Sequence, residues 1–462
     1  MAARHAVPVR RRPAYALACT SLLCALGSAV ADQAADSSLA DAELRALPGL
    51  PSPLTDTDFR PVDADVAALG RLLFFDPLLS GNRNIACATC HHPTLGSADG
   101  LSLGIGEGGL GLGERRRIGE EGVKHRVPRH APALFNLGAH EFEVLFHDGR
   151  VSVATDEPSG FDTPAEEFLP EGLDSVLAAQ ALFPLLAEVE MAGALDENEV
   201  AGARRRRADY GWRVIVERLR AEPGYVQPFD TAWPGAPGPA IAQVGNALAA
   251  FMEREWRADG SAFDAWLRGD DDALDRRQKD GLALFYGAAG CAACHAGALQ
   301  TDHGFHALGL PPLGPGRVRA FDPIARDVGR MAETDRLEDA YRFRTPSLRN
   351  VAHTAPYGHN GSYATLEGIL RHHLDPAGAL ASWSIDGLPL TADATLQADD
   401  LLVFEDAREL ARYRRRLDIE PLALDDADVQ ALVAFLHALT DTASLTGALG
   451  PPARVPSGLP VD

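Results

Sequence analysis

Cys87-Ala-Thr-Cys90-His91 and Cys291-Ala-Ala-Cys294-His295 decide how this 462-residue chain is read. Each is a C-x-x-C-H unit. Two thiols at that spacing reach the two vinyl groups along one edge of a porphyrin. The next side chain swings its imidazole beneath the iron, so covalent attachment also delivers an axial ligand. A ribbon-type zinc site would pair its C-x-x-C units about 15–20 residues apart, whereas these lie about 200 apart and each is followed by His. A thioredoxin-like redox pair would need a βαβ setting and would not explain the repeat. The motifs therefore predict two covalently bound c-type haems.

Outward from these motifs the pattern is helical. Asp63 is placed to cap a helix carrying Val66, Leu69 and Leu73, which Asp76-Pro77 stops. Ile241, Val244, Leu248, Phe251 and Met252 form a second apolar stripe. Asp425 begins a third helix, with Val429, Leu432, Val433, Leu436 and Leu439 on one face. Period-2 alternation is hard to find. Gly/Pro-rich stretches run from Gly96 to Gly122 and from Leu308 to Gly316, as expected where a chain wraps a macrocycle that supplies part of the core. The Trp233-Pro-Gly-Ala-Pro-Gly-Pro239 segment is the natural boundary between an N-terminal haem half, 32–235, and a C-terminal one, 236–445, followed by a tail, 446–462. Gly104-x-Gly106-x-x-Gly109 matches a dinucleotide-binding fingerprint but lacks the βαβ unit that would give it meaning.

Composition agrees. With 46% apolar and 23% charged residues the chain is an ordinary water-soluble protein, long enough to build real cores, so its six cysteines need not be staples. The net charge is −22, and only Lys124 and Lys279 are lysines, the wrong balance for a nucleic-acid partner. Arg4, Arg10, Arg11 and Arg12 precede an uncharged stretch, Ala14 to Val30, which ends in the small-residue cleavage site Ala29-Val30-Ala31. This predicts a signal peptide, 1–31, and export to the periplasm. The stretch is shorter than the ~20 residues that span a bilayer. Its removal takes Cys19 and Cys24 with it.

Longer motifs then narrow the family. Leu72-Leu-Phe-Phe-Asp-Pro-Leu-Leu-Ser-Gly81, Phe146-His-Asp-Gly-Arg150, Arg344-Thr-Pro-Ser-Leu-Arg-Asn350 and Thr354-Ala-Pro-Tyr-Gly-His359-Asn-Gly361 occur in order. Together they resemble the bacterial dihaem cytochrome c peroxidase family, which includes MauG, from about Leu69 to the final helix. The resemblance implies a mainly α fold of two cytochrome c-like haem domains with long Gly/Pro-rich loops. It implies a peroxide-reducing haem in the N-terminal domain and an electron-transfer haem in the C-terminal one. It also assigns catalytic roles to Gln180 and Glu190, which stand in the register Gln180-Ala181-x-x-Pro184 and Val189-Glu190-Met191. Splitting an O–O bond needs a base that moves a proton from one oxygen to the other.

Three departures refine this. Sixteen residues after His91, where many members place a histidine that closes the peroxidatic haem, stands Glu107. That implies a first haem held by His91 alone, with Glu107 a candidate for the chemistry and His125, His130 or His140 the alternative sixth ligands. Fourteen residues after His359, the family's distal ligand to the second haem falls on His373, with its neighbour His372 the fallback. A His295/His373 pair stabilises ferric iron better than a thioether would. His147 stands where the family usually has an indole between the haems. The family's calcium ion would draw on carbonyls of Thr354 and Pro356, but the expected asparagine is His130, a nitrogen ligand for an oxygen-loving ion.

The sequence therefore predicts an exported oxidoreductase that binds hydrogen peroxide at the His91 haem. Electrons would come from a small soluble redox protein, as in a cytochrome c peroxidase, or from a protein side chain, as in a MauG-like oxidase. The acidic stretch between Arg150 and Gln180 is either a docking face or a solvated loop. Homodimers are common in the family. A dihaem carrier or sensor without turnover is the contrasting reading, and it requires two six-coordinate irons.

Overall fold

Asp63 starts the first core helix, Ala64–Phe75, by accepting hydrogen bonds from the backbone N–H groups of Asp65 and Val66. Leu69 and Leu73 are buried on its inner face, and it stops at Asp76, whose carboxylate caps the turn begun by Pro77. The computed structural model describes residues 39–461 apart from 121, 320–321 and 323–325; the expected signal peptide lies outside the described residues. The fold is mainly helical. Among the described residues the strands are two or three residues long, grouped in one three-stranded and two two-stranded antiparallel patches. Among the described residues no helix is long and apolar enough to cross a membrane.

The same helix crossing is built twice, once beside each C-x-x-C-H motif. Before Cys87, helix Ala64–Phe75 presses Gly70 onto helix Ile241–Glu255, where a Cβ on Gly70 would lie 1.8 Å from the Ala247 carbonyl oxygen and 2.9 Å from Phe251 Cβ. Before Cys291, helix Arg276–Tyr286 presses Gly281 onto helix Asp426–Ala438, where a Cβ would lie 1.9 Å from the Ala431 carbonyl oxygen and 2.8 Å from Phe435 Cβ. Only glycine permits backbones to approach so closely. Aromatic clusters seal both crossings. Phe74 packs on Phe251 and Trp256 at 5.0 and 5.4 Å, and Phe435 packs on Phe285 and Phe263 at 5.1 and 5.3 Å, separations typical of tilted or edge-on pairs.

Two main hydrophobic clusters surround these crossings. Helix Ile241–Glu255 follows the Trp233–Pro239 segment in the chain, yet Val244, Leu248 and Phe251 belong to the first cluster, so side chains on both sides of the expected 235/236 boundary share one core. The ends of the chain cross over. Leu44 packs in the second cluster, while Val455 and the partly buried Leu449 and Leu459 of the expected tail pack on the first. Arg71 fastens that tail through the carbonyls of Gly450 and Pro451, and Ser457 Oγ donates to Asp76. The glycines of the fingerprint-like stretch curl around Arg116 instead of a nucleotide. Its guanidinium donates to the carbonyls of Ile105, Gly106 and Gly111.

Candidate functional site

Cys87–Cys90 forms a single helical turn, and His91 N–H donates to the Cys87 carbonyl at 2.9 Å. His91 Nδ1 faces the Ser97 carbonyl at 3.0 Å. A carbonyl only accepts, so the proton sits on Nδ1 and Nε2 carries the free lone pair. Both thiols and His91 line a cavity of about 170 Å³, shared with Gln180, Pro184 and Glu190. The cysteines are unbridged, and burial pushes the Cys87 and Cys90 thiols up to about 12. These are the opposite of the low-pKa thiolates of a redox dithiol. A porphyrin edge to which thiols add, with an imidazole nitrogen free for iron, fits this donor set.

Gln180 lies at the end of helix Val176–Ala181, which Ser175 caps through Ala178 N–H and which the Trp212 indole N–H anchors at the Leu182 carbonyl. Its Oε1 is buried without a hydrogen-bond partner in the protein. Glu190 sits in a widened turn, Glu188–Ala192, in which Ala192 N–H reaches back five residues to the Ala187 carbonyl. Such turns recur at functional sites. Gly81, at the end of the Leu72–Gly81 motif, supports this turn; its N–H donates to the Met191 carbonyl at 2.7 Å, and a Cβ there would meet the Ala192 carbonyl oxygen at 2.0 Å. Burial raises the Glu190 carboxyl above the usual carboxylate range, with Arg150 and Arg317 pulling against it.

Glu107 is placed differently from its expected catalytic position. It does not line the cavity; its Oε1 accepts from the side-chain amides of Asn82 and Asn84 at 2.9 and 2.7 Å, and its N–H donates to the Val189 carbonyl. It braces the Glu190 turn from behind. Of the three alternative sixth ligands, His125 and His140 do not line the cavity. His130 does, with Nδ1 on the Leu101 carbonyl at 2.9 Å. His147 also lines the cavity, and burial and the Arg129 charge hold its pKa well below the ordinary imidazole value.

A charged frame beside the cavity was not read from the sequence. Fully buried Asp148 receives Arg129 at 2.6 Å, Arg150 at 3.1 Å and Arg317 at 3.2 Å; Arg129 also grips Asp327 through two bonds of 2.7 and 2.8 Å. These arginines line the cavity. Arg317 and Asp327 come from the stretch after the second motif, so residues from both parts of the sequence complete the first site. Asp148 and Arg150 lie in the Phe146–Arg150 motif, but nothing local signals a partner 169 residues from Asp148.

The second site is built on the same local plan. His295 N–H donates to the Cys291 carbonyl, and its Nδ1 faces the Gln300 carbonyl at 3.1 Å. His373, on helix Leu366–Leu374, has its Nδ1 on the Ile369 carbonyl at 2.8 Å. The two rings stand 6.5 Å apart between centroids. Imidazole nitrogens sit about 2 Å from a bound transition metal, so an iron held from both sides places two ring centroids roughly 6 Å apart. His372 is engaged at both nitrogens, Nε2 on the Leu308 carbonyl at 2.8 Å and Nδ1 on the Tyr363 hydroxyl at 2.7 Å. That leaves His373 as the neighbour with a free nitrogen. Burial lowers the pKa of His295 to about 4 and that of His373 in the same direction. The residues expected around calcium do not fit that ion, because the His130 ring brings nitrogen and its Nδ1 proton is committed to Leu101.

Residues 64–272 match the family of di-haem cytochrome c peroxidases. The chain is 31% identical over 399 residues to the methylamine utilization protein MauG of Methylorubrum extorquens, covering 86% of this chain and 91% of that one. It is 30% identical over 431 residues to the cytochrome-c peroxidase IdrP1 of Denitromonas iodatirespirans, covering 88% and 95%. The solved structure of a MauG-like protein associated with microbial copper homeostasis superposes with a TM-score of 0.55 at 26% identity, covering 86% of this chain and 95% of that one. The chain belongs to the di-haem cytochrome c peroxidase family and is an oxidoreductase with haem c cofactors.

Proposed function

We propose that this protein is a peroxidase working in the periplasm, which reduces hydrogen peroxide at the His91 site with electrons that a small soluble redox protein delivers through the His295/His373 site. The asymmetry of the two sites carries the reading: beside His91 lies a cavity that Glu190 and Gln180 line, whereas His295 has the His373 ring 6.5 Å away in that place. Covalently attached haems supply the electron chemistry that divides the peroxide bond.

The chain's own residues do the rest. The Ser97 carbonyl fixes the His91 tautomer and strengthens its basicity, and the Gln300 and Ile369 carbonyls do the same for His295 and His373. Glu190, whose pKa burial raises from its ordinary value, takes a proton from one peroxide oxygen and returns it to the other. Gln180 offers an unpaired carbonyl oxygen and an amide to orient the peroxide. Arg150 and Arg317 stabilise Glu190 while it is ionised, and Asp148 holds both of them in place.

EPR and electronic spectra of the ferric protein, before and after stoichiometric peroxide, test this. One high-spin and one low-spin bis-imidazole signal, with a prompt change on peroxide addition, are expected. Two low-spin signals without a response overturn the reading in favour of a carrier or sensor. A second reading, oxidation of a protein side chain, gains support from His373: imidazole lowers the potential relative to a thioether, which suits the second site to holding an oxidising equivalent. Steady-state turnover with a reduced small c-type cytochrome separates the two.

A further inference from the structure

Tyr363 and His372 form a hydrogen-bonded pair beside the second site that the peroxide chemistry above leaves unused. The Tyr363 hydroxyl lies 2.7 Å from His372 Nδ1, and His372 Nε2 lies 2.8 Å from the Leu308 carbonyl. Because that carbonyl only accepts, Nε2 carries the ring proton, Nδ1 is the acceptor, and the tyrosine O–H is the donor. The direction of the bond is thereby fixed by geometry. His372 is fully buried, and its ring stands 5.3 Å from Tyr363 and 6.5 Å from His373. Tyr363 is only partly buried, and backbone pairing with Tyr357 in both directions, at 2.7 and 3.3 Å, holds it in place.

A phenol gives up an electron easily only if its proton has somewhere to go at the same moment. Two other tyrosines are less well served. Tyr357 donates to a backbone carbonyl, which cannot take a proton, and Tyr341 donates to Glu409, whose charge Arg326 and Arg412 already neutralise.

We propose that Tyr363 and His372 are a proton-coupled redox site, through which an electron enters the second haem site from the protein surface. The Tyr363 O–H bond breaks, its proton passes to His372 Nδ1, and its electron passes toward the site between His295 and His373. The phenoxyl radical left behind is reduced by an external electron donor, a small redox protein or an oxidisable side chain of a partner, and the proton returns from His372. Two such electrons, with two protons drawn from solvent because the Tyr363 proton is recycled, convert one hydrogen peroxide to two waters. The proposal takes its oxidant from the peroxidase reading, so its test must not depend on peroxide alone.

Haem-loaded wild-type protein, Y363F, H372Q and Y341F are oxidised in two ways: with hydrogen peroxide, and with a photo-excited ruthenium sensitiser plus a sacrificial acceptor, which needs no peroxide chemistry. Freeze-quench EPR reads the radical, ring-deuterated tyrosine identifies it, and mass spectrometry locates a radical-trap adduct. An unchanged low-spin signal from the second haem shows that each variant is folded. The expected result is a tyrosyl radical with the adduct on Tyr363, retained in Y341F, lost in Y363F and diminished in H372Q. No tyrosyl radical with the sensitiser, the same radical in Y363F, or an undiminished yield in H372Q overturns the proposal. A Tyr363 radical with the sensitiser but none with peroxide upholds the redox site and counts instead against the peroxidase reading.

Discussion

The imidazoles of His295 and His373 face each other with centroids 6.5 Å apart, and each holds its Nδ1 on a carbonyl of its own segment. On the proposed reading these two rings would hold one iron between them.

Replacing His373 by Met should keep the second haem six-coordinate, raise its reduction potential and abolish the bis-imidazole EPR signal, whereas H373A should open it to high spin. H372Q should retain the bis-imidazole signal, because His372 already spends both nitrogens elsewhere. Potentiometric titration followed by EPR decides this, and loss of the signal in H372Q alone would reverse the assignment.

E190Q removes the proton carrier but preserves the shape of the turn. It should lower kcat for peroxide reduction by about 10²–10⁴-fold with a smaller change in KM. E107Q keeps an acceptor for Asn82 and Asn84 and should retain most of the activity. Stopped-flow mixing with peroxide compares the two.

Arg129 neutralises two buried carboxylates, Asp148 and Asp327, and lowers the pKa of both against the opposing effect of burial. R129M leaves those charges without their shared partner. A loss of about 3–5 kcal/mol in chemical denaturation is expected; a near-neutral effect would mean that the remaining arginines suffice.

Burial raises the Glu253 carboxyl from 4.5 to about 7. The folded state therefore binds more protons than the unfolded one between these values, and stability falls as pH rises through that window. E253Q abolishes this dependence. It should stabilise the protein at pH 8 relative to wild type by up to about 3 kcal/mol, and bring no such gain below pH 4.5. Denaturation midpoints at both ends of the window give the answer.

With His130 at the calcium position, chelation by EDTA should change neither the melting temperature nor peroxide turnover, and metal analysis should find no stoichiometric calcium. Calcium that co-purifies and whose removal lowers the melting temperature would contradict this.

Features set by a few covalently linked residues were legible in the sequence. The C-x-x-C-H units, the Asp63 cap and the apolar stripes depend on short spacings, which the geometry of a helix or turn converts directly into positions, whereas only the family resemblance singles out Gln180 and Glu190. Tertiary structure alone decided the remainder, because it depends on which distant segments meet. Glu107 became a brace when the Asn82–Asn84 loop closed on it. Arg317 reached the first cavity by pairing with Asp148, and the expected tail found the first core through Arg71 and Asp76. His372 and His373 are adjacent in sequence and equal in chemistry. The Leu308 carbonyl and the Tyr363 hydroxyl, 64 and 9 residues from His372 in the chain, occupy one imidazole and leave the other free. Spacing along the chain carries no information about such pairings, since loop closure and packing, not the local backbone, determine them.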